Sequence, residues 1–181
     1  MRRVMIIGQP GSGKSTLARQ MGEITFLPVV HIDHIHWKSG WIERPQEEKS
    51  RLCEDVHARD AWIFEGGYSA TWSSRMQRAD TLIWIDLPLP LRAWRVFRRT
   101  ALSYGRTRPD LPDGCPEYFS AEFWHYIWRT RHTARAGCAN LFASCPETKD
   151  RHHLQSPRAV QNYLSHLTEA LSVGHLGIPH R

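Results

Sequence analysis

Apolar residues along this chain fall into two rhythms: short, nearly continuous runs, and longer stretches in which they recur every three or four positions. The short runs are too brief for helices and read as strands buried on both faces. "RVMIIG" (3–8) is the first, "LPVVHID" (27–33) the second, "AWIFEGG" (61–67) the third and "DTLIWIDLP" (80–88) the fourth. A fifth is signalled weakly at 151–155. Between them Lys14–Met21, Gln46–Arg59 and Leu89–Leu102 carry helical spacing, and an aromatic helix is expected from about Glu117 to Arg131. "SPRAVQNYLSHLTEAL" has a serine cap and a proline at its first helical position, as a terminal helix should.

Strands alternating with helices predict an α/β fold, a parallel sheet with crossover helices on both faces. Asp33, Glu65 and Asp86 then stand at three predicted strand ends, on the edge where open α/β sheets bind ligands. The stretch "SYGRTRPDLPDGCPEYF" (103–119) breaks the rhythm, and its Gly, Pro, Arg and Asp content predicts a mobile excursion from the sheet. No repeat or linker divides the chain, so residues 1–181 are read as one domain with an excursion over about 103–136.

Composition adds limits. A chain of 181 residues that is 41% hydrophobic can bury one sizeable core. A net charge of +6 favours anionic partners without choosing among them. No run approaches the ~18 apolar residues of a membrane span, and the N-terminal apolar run is too brief for a secretory signal. A cytoplasmic protein, monomeric or weakly dimeric and without membrane contact, is the expectation. Cys53, Cys115, Cys138 and Cys145 lack C-x-x-C pairing and are read as reduced thiols. Zinc on Cys138, Cys145 and nearby histidines is the less favoured reading.

The chemistry begins at "GQPGSGKST" (8–16), which follows the first strand and opens the first helix. Glycines let the backbone curl around an anion, and the amides at the helix N-terminus converge on it. Gly8, Gly11, Ser12, Gly13, Lys14, Ser15 and Thr16 are therefore read as a nucleotide-binding P-loop. Lys14 is expected on the β and γ phosphates, Ser15 on Mg2+, and Thr16 on an inner phosphate. A guanine-specific N-K-x-D motif is missing, so ATP is preferred.

Leu87 and Pro88 follow Asp86, so no glutamate stands beside it to activate water for hydrolysis. Glu65 is the candidate to hold Mg2+ through water. Transfer to an acceptor requires a group to orient the acceptor, cations for the developing charge, and a cover that excludes water. Asp33 can orient or deprotonate an acceptor, Gly67 lets a small molecule approach the backbone, and Trp37 and Trp41 are pocket candidates. Arg92, Arg95 and Arg99 share one helical face, with Arg98 beside them and Arg106 and Arg108 in the excursion. "HIDHIHW" (31–37), read as extended, would send His34 and His36 to one side and Asp33 to the other. Substrate contact or packing is favoured there over a metal.

"GQPGSGKSTLAR", "LPVVHIDHIHW", "WIFEGGY", "SSRMQRADTLIWIDLP", "WRVFRR" and "RTRPDLPDGCPEYF" together resemble the small P-loop kinases related to adenylate kinase, and within them the topology modulation proteins. The resemblance runs from Arg3 to about Arg135. It implies a P-loop three-layer sandwich with five parallel strands in the order 2-3-1-4-5 and a helical lid insertion. By similarity, Arg95 lies over the adenine, Arg99 near the transferred phosphoryl group, Arg75 at an acceptor-side anion, and Arg135 acts as a further lid cation. The implied activity is a kinase using ATP and Mg2+ on a nucleotide or small hydroxylated metabolite, with Lys14, Asp33 and Arg99 as catalytic residues. A nucleic-acid-associated ATPase acting in DNA topology modulation, or a nucleotide-binding protein without chemistry, are the alternatives. "EGGY" replaces the more usual D-G-N-Y, and the adenylate kinase D-G-F-P-R signature is missing.

Overall fold

The computed structural model describes residues 1–175, with side chains to residue 172. Strand β1 (Arg3–Gly8) is followed by α1 (Lys14–Thr25), β2 (Val29–His31) and a short α2 (Ile32–His36). A hairpin of β3 (Trp37–Lys38) and β4 (Ile42–Glu43) leads to α3 (Gln46–His57) and β5 (Trp62–Glu65). Then come α4 (Trp72–Arg78), β6 (Thr81–Ile85), α5 (Leu89–Leu102), α6 (Ala121–Arg129), α7 (Thr133–Ala143), β7 (Asp150–Leu154) and α8 (Pro157–His175). The main sheet is wholly parallel in the order β2-β5-β1-β6-β7. With the hairpin set aside, its strands follow the 2-3-1-4-5 order expected of the fold.

β1 lies at the centre because it is apolar on both faces. Val4, Met5, Ile6 and Ile7 are fully buried. Successive strand residues point to opposite faces, so these four feed two cores. Met5 and Ile7 join Trp62, Phe64, Leu82 and Trp84 beneath Cys53 and Val56 of α3, Met76 of α4 and Cys138 of α7. Val4 and Ile6 join Ile63, Ile83 and Ile85 beneath Leu17, Ala18 and Met21 of α1 and Leu164 of α8. Helix, sheet and helix thus form three layers. Truncating a core side chain such as Trp62 to Ala is expected to cost about 3–5 kcal/mol.

Several local readings change. The second strand stops at His31, so Asp33 sits in the first turn of α2 rather than at a strand end. The aromatic helix begins at Ala121 because the Ser120 hydroxyl accepts the Phe123 amide at 3.0 Å, the usual N-cap. Glu117 lies outside it in extended backbone, bridged to Tyr104. Helices α4 and α7 were not legible: the first is seven residues long, and small residues in "TARAGCANLFA" blur the period of the second. The four cysteines are buried and free. No cluster of His, Cys, Asp and Glu suited to a metal is found among the described residues, which gives no support to the zinc reading. Among the same residues, no helix is long and apolar enough to cross a membrane.

Candidate active site

The turn from β1 into α1 is built around glycines that nothing else could replace. Gly8 (φ +150°) and Gly11 (φ +76°) hold positive φ, and a Cβ on them would fall 2.5 Å from the Ile85 carbonyl and 2.4 Å from that of Arg92. The loop is therefore clasped between β6 and α5. The Arg92 guanidinium donates to Leu87 O and Pro10 O at 3.0 Å, and Arg95 Nη1 donates to Ser12 O at 3.1 Å. Lys14 Nζ curls back to Gln9 O at 3.2 Å, across the mouth of the loop. The Ser15 hydroxyl donates to Glu65 Oε1 at 3.0 Å, and Thr16 is exposed.

The three acids expected at strand ends have three different fates. Glu65 closes β5 in a buried position, shared between Ser15 and His31, whose Nδ1 lies 2.8 Å from Oε1. Asp86, just past β6, is clasped by Arg135 through Nε at 2.9 Å and Nη2 at 2.8 Å, with His153 Nε2 at 3.3 Å. Burial alone would raise the Asp86 carboxyl, but those hydrogen bonds hold it below the usual carboxylate range. Asp33 has no such partner among the described residues. Burial, reinforced by the charge of Glu65, pushes its carboxyl up to about 6 against the opposing pull of Lys14 and Arg108.

The 103–119 excursion is folded down rather than loose. Gly40 N donates to Gly114 O at 2.9 Å, Trp41 Nε1 to Pro116 O at 3.0 Å, and the Cys115 thiol to Lys38 O at 3.3 Å. His34 Nε2 meets Pro109 O at 3.1 Å. A glycine suits position 114, whose φ is +78°, and a Cβ there would also push the Ser39 hydroxyl aside. Trp37 packs edge-on against Trp41, and Trp41 against Tyr118, so aromatic rings join hairpin and lid. This docking carries Arg108 and Asp110 to the P-loop. Arg108 Nη1 donates to Asp110 Oδ2 at 2.6 Å, and the Asp110 carboxylate also reaches the Ser15 hydroxyl. Arg108 was expected from sequence as one of the cations of the excursion, whereas Asp110 was given no role, although it closes the same "RPD".

Other predicted residues are placed differently. Arg75 is fully buried, stacks on Phe64 at 3.9 Å, and donates to Gly66 O at 3.1 Å, so it braces the Gly66–Gly67 turn and presents no cation to an acceptor. Gly66, not Gly67, is the tight position: its φ is +119° and a Cβ would lie 2.0 Å from Ile32 Cγ2, whereas Gly67 faces open space. Arg135 is committed to Asp86 and lines a cavity of about 460 Å³ with Gln9, Pro88, Arg92, Arg131 and Gln155, away from Asp33. Because α2 is helical, the extended reading of "HIDHIHW" fails: His31 meets Glu65, His34 meets Pro109 and His36 lies 3.3 Å from Glu43.

No family model matches the chain, and no curated protein does. Solved structures do. The shikimate kinase of Acinetobacter baumannii in complex with shikimate has a TM-score of 0.53 at 12% identity, over 96% of this chain and 94% of that one. The shikimate kinase of Bacteroides thetaiotaomicron reaches 0.56 at 14% identity, over 94% and 98%. That of Aquifex aeolicus reaches 0.50 at 14%, over 97% and 99%. At such identities the likeness establishes the small P-loop kinase fold, and the narrower topology modulation grouping rests on the sequence motifs alone.

Proposed function

We propose that this chain is an ATP-dependent phosphotransferase that moves the γ-phosphate of ATP to a small hydroxylated metabolite or a nucleotide. The observation that carries the reading is the placement of Asp33, a carboxylate with no cationic clasp and a pKa raised to about 6, across from Lys14 and the P-loop. A group poised near neutral pH can accept a hydroxyl proton at little cost. The kinase fold of the structural neighbours fits this reading.

In this mechanism the amides of 11–15 and Lys14 grip the phosphate tail. Ser15 and Glu65 form a hydroxyl–carboxylate pair at the loop, the donor set a magnesium ion with phosphate and water ligands requires of a protein. When bound, Mg2+ neutralises charge on the β and γ oxygens. Asp33 orients the acceptor hydroxyl and takes its proton. Arg99 and Arg108 face the transferring group from α5 and the lid, and Arg95, which also tethers the P-loop at Ser12, covers the adenine. The docked lid excludes water, which favours transfer over hydrolysis. Arg92, Arg95, Arg99 and Arg108 each pair with groups of the P-loop, the sheet edge or the excursion, which supports a small-molecule phosphate site over a nucleic-acid surface for these four.

The test is acceptor-dependent ADP release across hydroxylated ring acids, sugar acids, nucleosides and nucleoside monophosphates. Shikimate, bound by one structural neighbour, belongs in the first group. One acceptor is expected to raise ADP release at least about 100-fold over the basal rate, and Lys14→Ala to abolish it. Basal hydrolysis that no acceptor stimulates would sink the proposal.

A further inference from the structure

Arg99 on α5 and Arg108 on the lid approach the site from separate elements, and two guanidiniums converging in a partly dehydrated space repel each other. Burial and the neighbouring Arg108 charge both act against the charged form of Arg99. Something must offset that repulsion for the lid to seat.

The only carboxylate in ion-pair contact with both, among the described residues, is Glu117. Its Oε1 lies 3.3 Å from Arg99 Nε and 2.5 Å from Arg108 Nε, and its side chain is only 6% exposed. Oε2 accepts the Thr100 hydroxyl at 3.1 Å, which ties the carboxylate to the end of α5. The backbone of Glu117 is fixed as well, accepting from Gly105 N at 2.8 Å and donating to Arg106 O at 3.0 Å. Neither Nε–H has hydrogen-bond geometry to any acceptor, so charge rather than a directed bond holds the pair. In each guanidinium it is Nε that lies in ion-pair contact with Glu117. Arg108 turns one Nη toward Asp110 beside the P-loop.

We propose that Glu117 is a positioning residue: the shared counter-charge that lets Arg99 and Arg108 occupy the site together and couples their placement to lid docking. It touches no reacting atom. This rests on the kinase reading for its catalytic consequence, but the coupling of Glu117 to lid docking stands apart from it.

The test uses the full chain and the isosteric Glu117→Gln, with Thr100→Val as a control that removes the hydroxyl partner and keeps the charge. Amide hydrogen exchange without nucleotide reads the lid directly. Glu117→Gln is expected to speed exchange over 104–117 at least about tenfold while β1 and β6 stay protected, and Thr100→Val to change it less than about threefold. With an acceptor in hand, Glu117→Gln should lower kcat about 100-fold and leave the KM for ATP within about threefold, and Glu117→Asp should recover part of the loss. In an Arg108→Ala background, Glu117→Gln should add less than about twofold, because its partner is gone. Unchanged exchange in Glu117→Gln overturns the proposal, as does a kcat loss that multiplies fully with that of Arg108→Ala. Should no acceptor be found, the exchange result still decides the role of Glu117, and only the kinase reading falls.

Discussion

The end of β6 and the start of α2 lie on the same edge of the sheet, and each presents an aspartate, yet the two carboxylates live in opposite surroundings. Asp86 is met by a bidentate arginine and a histidine and is held below the usual range. Asp33 has been given neighbours of mixed sign and no clasp, and it rises to about 6. A paired carboxylate stabilises the fold and is inert as a base, whereas an unpaired one costs stability and is available for chemistry. The position of an acid along the sheet edge does not decide its role. The partners that later elements bring to it do: α7 supplies Arg135 and β7 supplies His153 at one end, and neither extends to the other.

The sharpest way to break the comparison is to neutralise each acid in turn. Asp33→Asn should lower acceptor-dependent turnover about 1000-fold, the middle of the range for a general base, with ATP affinity by calorimetry unchanged. Full activity in that variant would remove Asp33 from the mechanism. Asp86→Asn should do the reverse: turnover within a few-fold of the parent, and a loss of about 1 kcal/mol in urea unfolding, because a charge-assisted pair between a buried carboxylate and a half-exposed guanidinium is weakened. If Asp86→Asn matched Asp33→Asn in turnover, the two ends of the sheet would not be distinct.

The smallest effect is a stability difference with a defined sign. Since the Asp33 carboxyl is raised in the folded state, the native protein binds the extra proton between about pH 4 and pH 6, and Asp33 destabilises the fold increasingly as pH rises through that window. Asp33→Asn should therefore be more stable than the parent by about 1 kcal/mol at pH 8, a figure discounted for the partial exposure of the group, with the gap closing by pH 4. Denaturant midpoints of both proteins across that range provide the check, and a gap of the opposite sign would contradict the raised carboxyl.

Much of this was legible before any coordinates. Four of the five strands of the sheet lie in near-continuous apolar runs, whereas β7, "DRHHL", is signalled only weakly, and the P-loop is a local motif whose glycines, lysine and serine act through the backbone of one turn. Local patterns travel well from sequence to structure. Long-range pairing does not: nothing in "WIDLP" announces that Arg135, 49 residues on, will clasp Asp86, or that Arg75 will turn inward to Gly66. The excursion misled for a related reason. Its Gly and Pro content reports that no regular element forms, and that is true, but irregular backbone can still be fixed by partners elsewhere, here the hairpin at 37–43 and, through the carboxylate of Glu117, Arg99 and Thr100 of α5. Asp33 was expected at a strand end and lies instead in a helical first turn, still on the same edge of the sheet.

The snug meeting of Gly114 with Ser39 and Gly40 has a kinetic corollary. A cover seated that closely seals the reactants in, and it equally seals the products in, so each catalytic cycle must include prising it off and reseating it. On the proposed kinase reading, a mechanical gate would set the pace of turnover as much as bond-making, and thickening the solvent should slow it without touching the chemistry.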